Sequence, residues 1–322
     1  MVRVTTGGRL HFGFQNLSLA HARLYGGVGV TLSEPRVVVE AHAADDVVCD
    51  HPVATRYARE AAAVLGVLGA RVIVHEELPR HVGLGSGTQL ALATLQAVAA
   101  ANGQAVSVRD VAPRLGRGGR SGIGVAGFES GGFVLDAGHP TERFTTDRPA
   151  DGEWDVPAVA AHHEIPADWR FVVVIPDLPS GRSGANEDDS IRTVVEDADP
   201  GIADDIAAVV ARRVLPAMAE GDWRTFGAAV ATISRLNGAW YADEQGGVFR
   251  PPLGEIVNRL TVSGAVSGAG QSSWGPAVFG VTDRAHAPAA RAAAREILDS
   301  VGVGGSVVVS AGRNAGATVE TE

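Results

Sequence analysis

A glycine-rich segment at residues 79–89, Pro-Arg-His-Val-Gly-Leu-Gly-Ser-Gly-Thr-Gln, has the composition of an anion-binding turn. Glycine lets the backbone approach a ligand closely, and the N–H groups at a helix start, where the helix dipole is positive, bind phosphate. Thr88 at the sixth motif position excludes a dinucleotide-binding fingerprint. The segment could also be a connection required only for packing. The phosphate-binding hypothesis assigns it six residues: Gly83, Leu84, Gly85, Ser86, Gly87 and Thr88.

A second glycine-rich segment, residues 115–124, contains two arginines, Arg117 and Arg120. A guanidinium group donates paired hydrogen bonds to a phosphate or a carboxylate, so this segment is a candidate site for either anion. The alternative is a surface loop whose arginines are solvated.

A third segment, residues 267–276, reads Ser-Gly-Ala-Gly-Gln-Ser-Ser-Trp-Gly-Pro. Its polarity and glycine content predict a loop rather than a strand. Gln271, Ser272 and Ser273 could line a second wall of an anion site, whereas the alternative is a turn packed around a buried Trp274.

The elements around these segments are predicted from hydrophobic periodicity. A strand at 71–75 precedes the first segment, and an apolar helix at 88–101 follows it. The order of strands and helices is not a regular βαβα alternation, so we expect an α+β fold. The first 40 residues read as strands and turns, with strands at 28–32 and 36–40 separated by a turn at Ser33-Glu34-Pro35. We further predict strands at 131–135, 171–175, 277–281 and 305–310, helices at 54–68, 202–219, 221–237, 251–262 and 286–300, and an irregular connection over 145–168.

Composition excludes several classes of protein. The 322 residues suggest one large domain or two smaller ones, and a net charge of −10 argues against nucleic-acid binding, which needs a basic face. All 27 basic residues are arginine, so lysine-dependent phosphate loops and Schiff-base chemistry are excluded. Cys49 is the single cysteine, and we find neither a signal peptide nor an apolar run long enough to span a membrane. We therefore expect a cytoplasmic protein without a membrane partner.

The first segment resembles the phosphate-loop motif of the GHMP kinase superfamily, whose usual form is PxxxGLGSSA, and residues 267–276 occupy the place of its third motif. The resemblance covers nearly the whole chain. It implies a two-lobed α+β fold, with an N-terminal lobe like ribosomal protein S5 domain 2 over residues 1–165 and a ferredoxin-like α/β lobe over residues 166–322.

Five segments resemble one branch of that superfamily, the β-ribofuranosylaminobenzene 5′-phosphate synthases. They are residues 9–13, 25–30, 116–124, 128–133 and 270–276. Superfamily kinases typically carry a catalytic aspartate at the position of Gly124, and its loss here favours the synthase branch over a kinase. An ATP-dependent small-molecule kinase is the first alternative, and a non-catalytic phosphate-binding protein is the second.

The synthase resemblance implies transfer of a phosphoribosyl group from phosphoribosyl pyrophosphate to 4-aminobenzoate or 4-hydroxybenzoate, with release of CO₂ and pyrophosphate, in methanopterin biosynthesis. It also implies a homodimer. We assign catalytic roles to Arg9, His11, Arg117 and Arg120. Pyrophosphate chemistry calls for Mg²⁺, which carboxylates and substrate phosphates hold together. The candidate metal ligands are Asp177, Glu187 and Asp136.

Overall fold

The computed structural model describes residues 1–144, 149–179 and 185–321, without the side chains of residues 185–189. The strands are β1 (Val2–Asn16), β2 (Arg23–Ala43), β3 (Ala70–Glu76), β4 (Phe133–Asp136), β5 (His139–Pro140), β6 (Val159–His163), β7 (Trp169–Pro176), β8 (Gly268–Gln271), β9 (Val278–Asp283), β10 (Gly305–Ala311) and β11 (Thr318–Thr321). The α-helices are α1 (Pro52–Leu65), α2 (Ser86–Ala101), α3 (Val108–Val111), α4 (Ile123–Ser130), α5 (Ala185–Asp197), α6 (Pro200–Val209), α7 (Leu215–Glu220), α8 (Trp223–Trp240), α9 (Ala242–Gln245), α10 (Leu253–Val262) and α11 (Ala287–Val301).

The N-terminal sheet has the strand order β11-β1-β2-β4-β6, and β3 and β5 also pair with β2. Its inner face packs against α1 and α2 in a core that includes Val4, Val39, Tyr57 and Leu92. Helix α2 is apolar on nearly every side because it lies between the sheet, α1 and α4. The predicted buried helix after the first glycine-rich segment is thereby confirmed.

The C-terminal sheet has the antiparallel order β10-β7-β9-β8, which is the ferredoxin-like arrangement expected from the resemblance. One face packs against α10 and α11, and the other faces α8. Helix α8 also contacts β1, and Phe226 in α8 lies 5.8 Å from Phe12 of β1 between ring centroids. The two sheets therefore share a hydrophobic core, and the α+β class is confirmed.

The predicted turn at Ser33-Glu34-Pro35 is wrong, because β2 continues through it as one strand. The pairing between β1 and β2 shifts register there: Gly7 pairs with Arg36, whereas Arg9 pairs with Thr31. Four residues of β2, 32–35, therefore lie opposite the single residue Gly8 of β1, which interrupts the regular pairing of the two strands. Turn-forming residues here mark a bulge, which the sequence pattern does not distinguish from a chain reversal.

The third glycine-rich segment is not entirely a loop, since Gly268–Gln271 forms β8. Its glycines allow α8 to lie directly against the strand: a Cβ atom at Gly270 would come within 2.5 Å of the Ser234 hydroxyl oxygen. Glycine therefore permits close helix–strand packing here. The loop prediction was wrong for Gly268–Gln271 because glycine disfavours strands in general but is required at this contact.

Strands β5, β6 and β11 were not predicted. The two-residue strand β5 pairs with β2. Strand β6 lies within the expected irregular connection and pairs with β4, and β11 pairs with β1. The predicted domain boundary at residues 165 and 166 falls between β6 and β7, while β11, near the end of the chain, joins the N-terminal sheet. Across the described helices, none is long and apolar enough to cross a membrane.

Candidate active site

The three glycine-rich segments meet around a cavity of about 910 Å³. Strands β1 and β2 form part of its wall, and Arg192 of α5 also lines it. Segments far apart in sequence thus converge on one space large enough for a nucleotide-sized substrate. The sequence-predicted residues that line this cavity are Arg9, His11, Gly83, Gly85, Ser86, Gly87, Thr88, Arg117, Arg120 and Ser273.

The first glycine-rich segment leads into the N-terminus of α2, a helix of 16 residues. Gly85 is the residue before the helix and has a left-handed backbone with φ of 79°, which glycine adopts without a steric penalty. As a glycine, Gly85 has no side chain with which to cap the helix start. The N-terminal N–H groups and the positive end of the helix dipole therefore lie at the cavity wall, where an anion would be stabilised.

Two guanidinium groups lie directly over glycines of this turn. A Cβ atom at Gly85 would be 3.0 Å from Cγ of Arg9, and one at Gly87 would be 3.0 Å from Nη1 of Arg117. Arg9 also donates a hydrogen bond to the Gly83 carbonyl, and Arg117 donates one to the Tyr57 hydroxyl. The glycines leave room for the arginines, and the arginines add positive charge to the helix N-terminus.

Ser272 is buried and does not line the cavity, but it supports the first glycine-rich turn through hydrogen bonds. Its hydroxyl donates to the Gly83 carbonyl at 2.8 Å and accepts from the His11 N–H at 3.1 Å. Gln271 also lies outside this cavity and accepts a hydrogen bond from the Arg250 N–H through its side-chain oxygen at 3.2 Å. Leu84 is fully buried. The structure therefore gives these three residues a packing and positioning role.

His11 is 4% exposed, and its Nε2 atom has no hydrogen-bond partner among the residues that the structure describes. Burial, with a smaller effect from the Arg9 charge, lowers the pKa of His11 to about 3. The ring makes an edge contact with Phe14, with centroids 4.9 Å apart. The site therefore contains a neutral imidazole with one buried nitrogen that makes no hydrogen bond within the described part of the chain.

Tyr25 lines the cavity; it falls within the family-like segment 25–30 but was not predicted as a site residue. It is a non-glycine residue with a left-handed backbone, φ of 68°, and Gly26 follows with φ of 77°. Nothing in an isolated Tyr-Gly pair inside a strand-like run indicates that conformation. Tyr57, His139 and Arg192 were also missed, because only the folded chain brings them to the cavity.

Positive charge predominates around the cavity. Among the residues that the structure describes, six arginines and three carboxylates line it. Excess positive charge in a partly enclosed space attracts substrates that carry several negative charges. The arginines are Arg9, Arg80, Arg117, Arg120, Arg143 and Arg192, and the acidic residues are Glu77, Glu153 and Asp155.

Of the candidate metal ligands, neither Asp136 nor Asp177 lines the cavity. Asp136 is fully buried, and its carboxylate accepts hydrogen bonds from the Gly122 and Gly138 N–H groups at 2.8 and 3.0 Å and from Ser121 at 3.1 Å. Burial raises the pKa of Asp136, and these backbone hydrogen bonds oppose that rise. Asp177 follows β7 and does not line the cavity. The side chain of Glu187 lies outside the described residues.

Within the described ranges, no three His, Cys, Asp or Glu side chains are grouped so that they could hold a metal ion. Magnesium prefers one or two carboxylates together with substrate phosphates. The described residues therefore do not form a protein cage for Mg²⁺.

Family comparisons agree with this arrangement. The family models described as GHMP kinases N terminal domain and GHMP kinases C terminal match residues 52–132 and 214–300. The crystal structure of homoserine kinase from Cytophaga hutchinsonii has a TM-score of 0.66 at 15% identity, covering 99% of this chain and 97% of that chain. The Methanococcus jannaschii mevalonate kinase structure has a TM-score of 0.65 at 12% identity, with 98% of each chain covered. These structures share the fold.

Curated relatives are more similar in sequence. A β-ribofuranosylphenol 5′-phosphate synthase from Methanothermobacter thermautotrophicus is 33% identical, covering 98% of this chain and 97% of the relative. One of the same name from Archaeoglobus fulgidus is 32% identical, covering 99% of this chain and 100% of the relative. The chain therefore belongs to the β-ribofuranosylphenol 5′-phosphate synthase family and has the GHMP kinase fold.

Proposed function

We propose that this protein is a decarboxylating phosphoribosyltransferase that joins phosphoribosyl pyrophosphate to 4-hydroxybenzoate. The single observation that carries the proposal is the packing of Arg9 and Arg117 over Gly85 and Gly87, which makes a strongly cationic phosphate site at the start of α2. The relatives' name describes a phenol with a ribofuranosyl 5′-phosphate group. That name favours the hydroxy acid over 4-aminobenzoate as the acceptor.

The proposed reaction forms one carbon–carbon bond and breaks two bonds. The ring carbon that carries the carboxylate bonds to the anomeric carbon of the ribose. The bond between the anomeric carbon and the pyrophosphate oxygen breaks, and pyrophosphate leaves with the electron pair. The bond to the carboxylate carbon then breaks, its electrons restore the aromatic ring, and CO₂ leaves. No external oxidant or reductant is needed.

The chain's own residues supply binding and electrostatic stabilisation. Arg9, Arg117 and the N–H groups at the start of α2 would hold the pyrophosphate group and neutralise the charge that develops as it leaves. Mg²⁺ held by the substrate's phosphates would add charge neutralisation beside Arg9 and Arg117.

The glycine at position 124 disfavours a kinase reaction, because the resemblance places the catalytic aspartate of superfamily kinases at this position. A Cβ atom at Gly124 would lie 3.1 Å from Cγ2 of Thr88, in the phosphate turn itself. An aspartate there would be pressed against the turn that binds phosphate. The chain also has no lysine to assist phosphoryl transfer.

The test is a coupled assay with phosphoribosyl pyrophosphate, Mg²⁺ and carboxyl-labelled 4-hydroxybenzoate or 4-aminobenzoate. We expect labelled CO₂ and pyrophosphate in equal amounts, with higher kcat/KM for the hydroxy acid. Arg117→Ala should lower kcat/KM for phosphoribosyl pyrophosphate by roughly 100-fold. Exposed Arg114, which immediately precedes this segment and lies outside the cavity lining, provides the matched control Arg114→Ala. Release of ADP from ATP with small alcohols, without CO₂ release from either benzoate, would establish the kinase alternative.

A further inference from the structure

We propose that the aromatic acid binds along a wall formed by His11, Phe14 and Tyr25, with its carboxylate toward Arg120 and Arg192 and its para-hydroxyl toward His11. This acceptor subsite rests on the proposed function and specifies it. It lies on the same cavity as the phosphate turn but uses different side chains.

The wall is a continuous series of rings. The His11 and Phe14 ring centroids are 4.9 Å apart, and those of Phe14 and Tyr25 are 5.9 Å apart with planes inclined at 55°. These rings belong to β1 and β2 and line the cavity. Rings at these separations offer an apolar surface against which a benzoate ring packs face or edge on.

The backbone at Tyr25 is an independent indication of function. A bulky residue at φ of 68° is sterically disfavoured, and such residues cluster at ligand sites where the surrounding structure enforces them. The following Gly26 is also left-handed, and the Gln15 amide lies against it and donates to the Asp136 carbonyl at 2.6 Å. These contacts hold the bend that turns the Tyr25 side chain into the cavity wall.

Two arginines from different parts of the chain provide charge at one end of the wall. Arg120 belongs to the second glycine-rich segment and Arg192 to α5, and both act electrostatically on the Tyr25 phenol. Burial raises the pKa of Tyr25, and the two positive charges oppose that rise. Arg192 also lies over the Phe144 ring, 5.8 Å from its centroid. A carboxylate next to Tyr25 would therefore meet two cations.

His11 lies at the other end of the wall and lines the cavity. Its Nε2 atom is buried and has no hydrogen-bond partner within the described part of the chain. A buried nitrogen without a partner is costly, and a ligand hydroxyl would satisfy it. A neutral imidazole that accepts a hydrogen bond from the para-hydroxyl leaves more electron density on that oxygen. The oxygen can then donate into the ring while C1 bonds to the sugar, without net proton transfer.

The experiment measures KM separately for 4-hydroxybenzoate and phosphoribosyl pyrophosphate in paired variants. Tyr25→Asn removes the ring but tolerates a left-handed backbone, whereas Tyr25→Phe keeps the ring. We expect Tyr25→Asn to raise KM for the acid roughly tenfold or more, with KM for phosphoribosyl pyrophosphate changed less than about twofold. Tyr25→Phe should raise KM for the acid less than Tyr25→Asn does, because the ring is retained.

Two further variants test the ends of the wall. Arg192→Ala should raise KM for the acid as Tyr25→Asn does, while Arg212→Ala, at an exposed arginine outside the cavity, should not. His11→Phe keeps a ring in the wall but removes the imidazole nitrogens, so it should raise KM for 4-hydroxybenzoate more than it raises the inhibition constant of benzoate, which lacks the para-hydroxyl.

The outcomes separate this proposal from the proposed function. If the wild-type protein releases no labelled CO₂, the proposed function fails. If it does release CO₂ but Tyr25→Asn and Arg192→Ala change only the constant for phosphoribosyl pyrophosphate, or neither constant, the acceptor subsite alone is overturned. Circular dichroism and the unfolding midpoint of each variant establish that it is folded.

Discussion

The guanidinium group of Arg117 lies directly over Gly87, so that a Cβ atom at that glycine would be 3.0 Å from Nη1 and 3.2 Å from Cζ. This contact joins the second glycine-rich segment to the first. It is maintained by the Tyr57 hydroxyl, which accepts a hydrogen bond from Arg117, and by the Tyr57 ring, whose centroid is 5.4 Å from Cζ.

Replacing Gly87 by alanine should displace Arg117 and weaken binding of phosphoribosyl pyrophosphate. We expect KM for this substrate to rise about tenfold while KM for the benzoate changes little, because only the phosphate end is disturbed. Gly254→Ala is the matched control, since Gly254 is also the second residue of a helix and a Cβ atom there meets only Phe249 at 3.7 Å. A Gly87→Ala protein with unchanged kinetics would separate Arg117 from phosphate binding.

Introducing aspartate at Gly124 should not create a kinase. The new carboxylate would press on Thr88 and bring negative charge to the phosphate turn, so we expect kcat/KM for phosphoribosyl pyrophosphate to fall about tenfold or more. Gly124→Ala controls for the added volume without the charge. The measurement is ADP release from ATP with small alcohols beside the CO₂ assay, and ATP turnover above the wild-type level in Gly124→Asp would contradict the expectation.

Ser272 should matter for stability as well as for substrate binding. Removing its buried hydroxyl in Ser272→Ala leaves the His11 N–H without this acceptor and the Gly83 carbonyl without one of its donors. We expect the free energy of unfolding to fall by about 1–3 kcal/mol, together with a higher KM for phosphoribosyl pyrophosphate. Urea unfolding checks the first effect, with Ser306→Ala, at an exposed strand residue, as the control. An unfolding midpoint equal to that of the control would show that the buried hydroxyl is dispensable.

Glu40 lies in β2 and does not line the cavity. Its carboxyl group should make the free energy of unfolding depend on pH. Hydrogen bonds from Arg3 at 3.1 Å and His42 at 3.1 Å, together with one from His75 at 2.9 Å, lower the pKa of Glu40 from 4.5 to about 2. A carboxyl group with a depressed folded-state pKa stabilises the protein above its unfolded-state value, and this contribution is lost as pH falls from 4.5 through 2.

Glu40→Gln should therefore lower the urea midpoint at pH 7, and its difference from wild type should shrink steadily between pH 4.5 and pH 2. Glu220→Gln, at the exposed last residue of α7, serves as the control, and its difference in urea midpoint from wild type should not shrink in this way. A difference that is the same at pH 7 and pH 2.5 would mean that Glu40 acts through packing rather than through its charge.

The amino-acid sequence by itself determined the local elements of this protein and the location of its anion-binding chemistry. The apolar run after Thr88 specified a buried helix, and the glycines before it specified a turn, because both depend on residues close together in the chain. The family resemblance supplied the two-lobed fold and Arg9, His11, Arg117 and Arg120 as site residues. All four line one cavity.

Only the tertiary structure decided which polar residues face the cavity and which lie behind it. Ser272 and Ser273 are neighbours in sequence, yet the first is buried under the phosphate turn and the second lines the cavity. Tyr25, Tyr57 and Arg192 reach the site from separate elements. Their positions depend on the register shifts between β1 and β2 and on the packing of the two lobes, which are long-range properties that local sequence patterns do not encode.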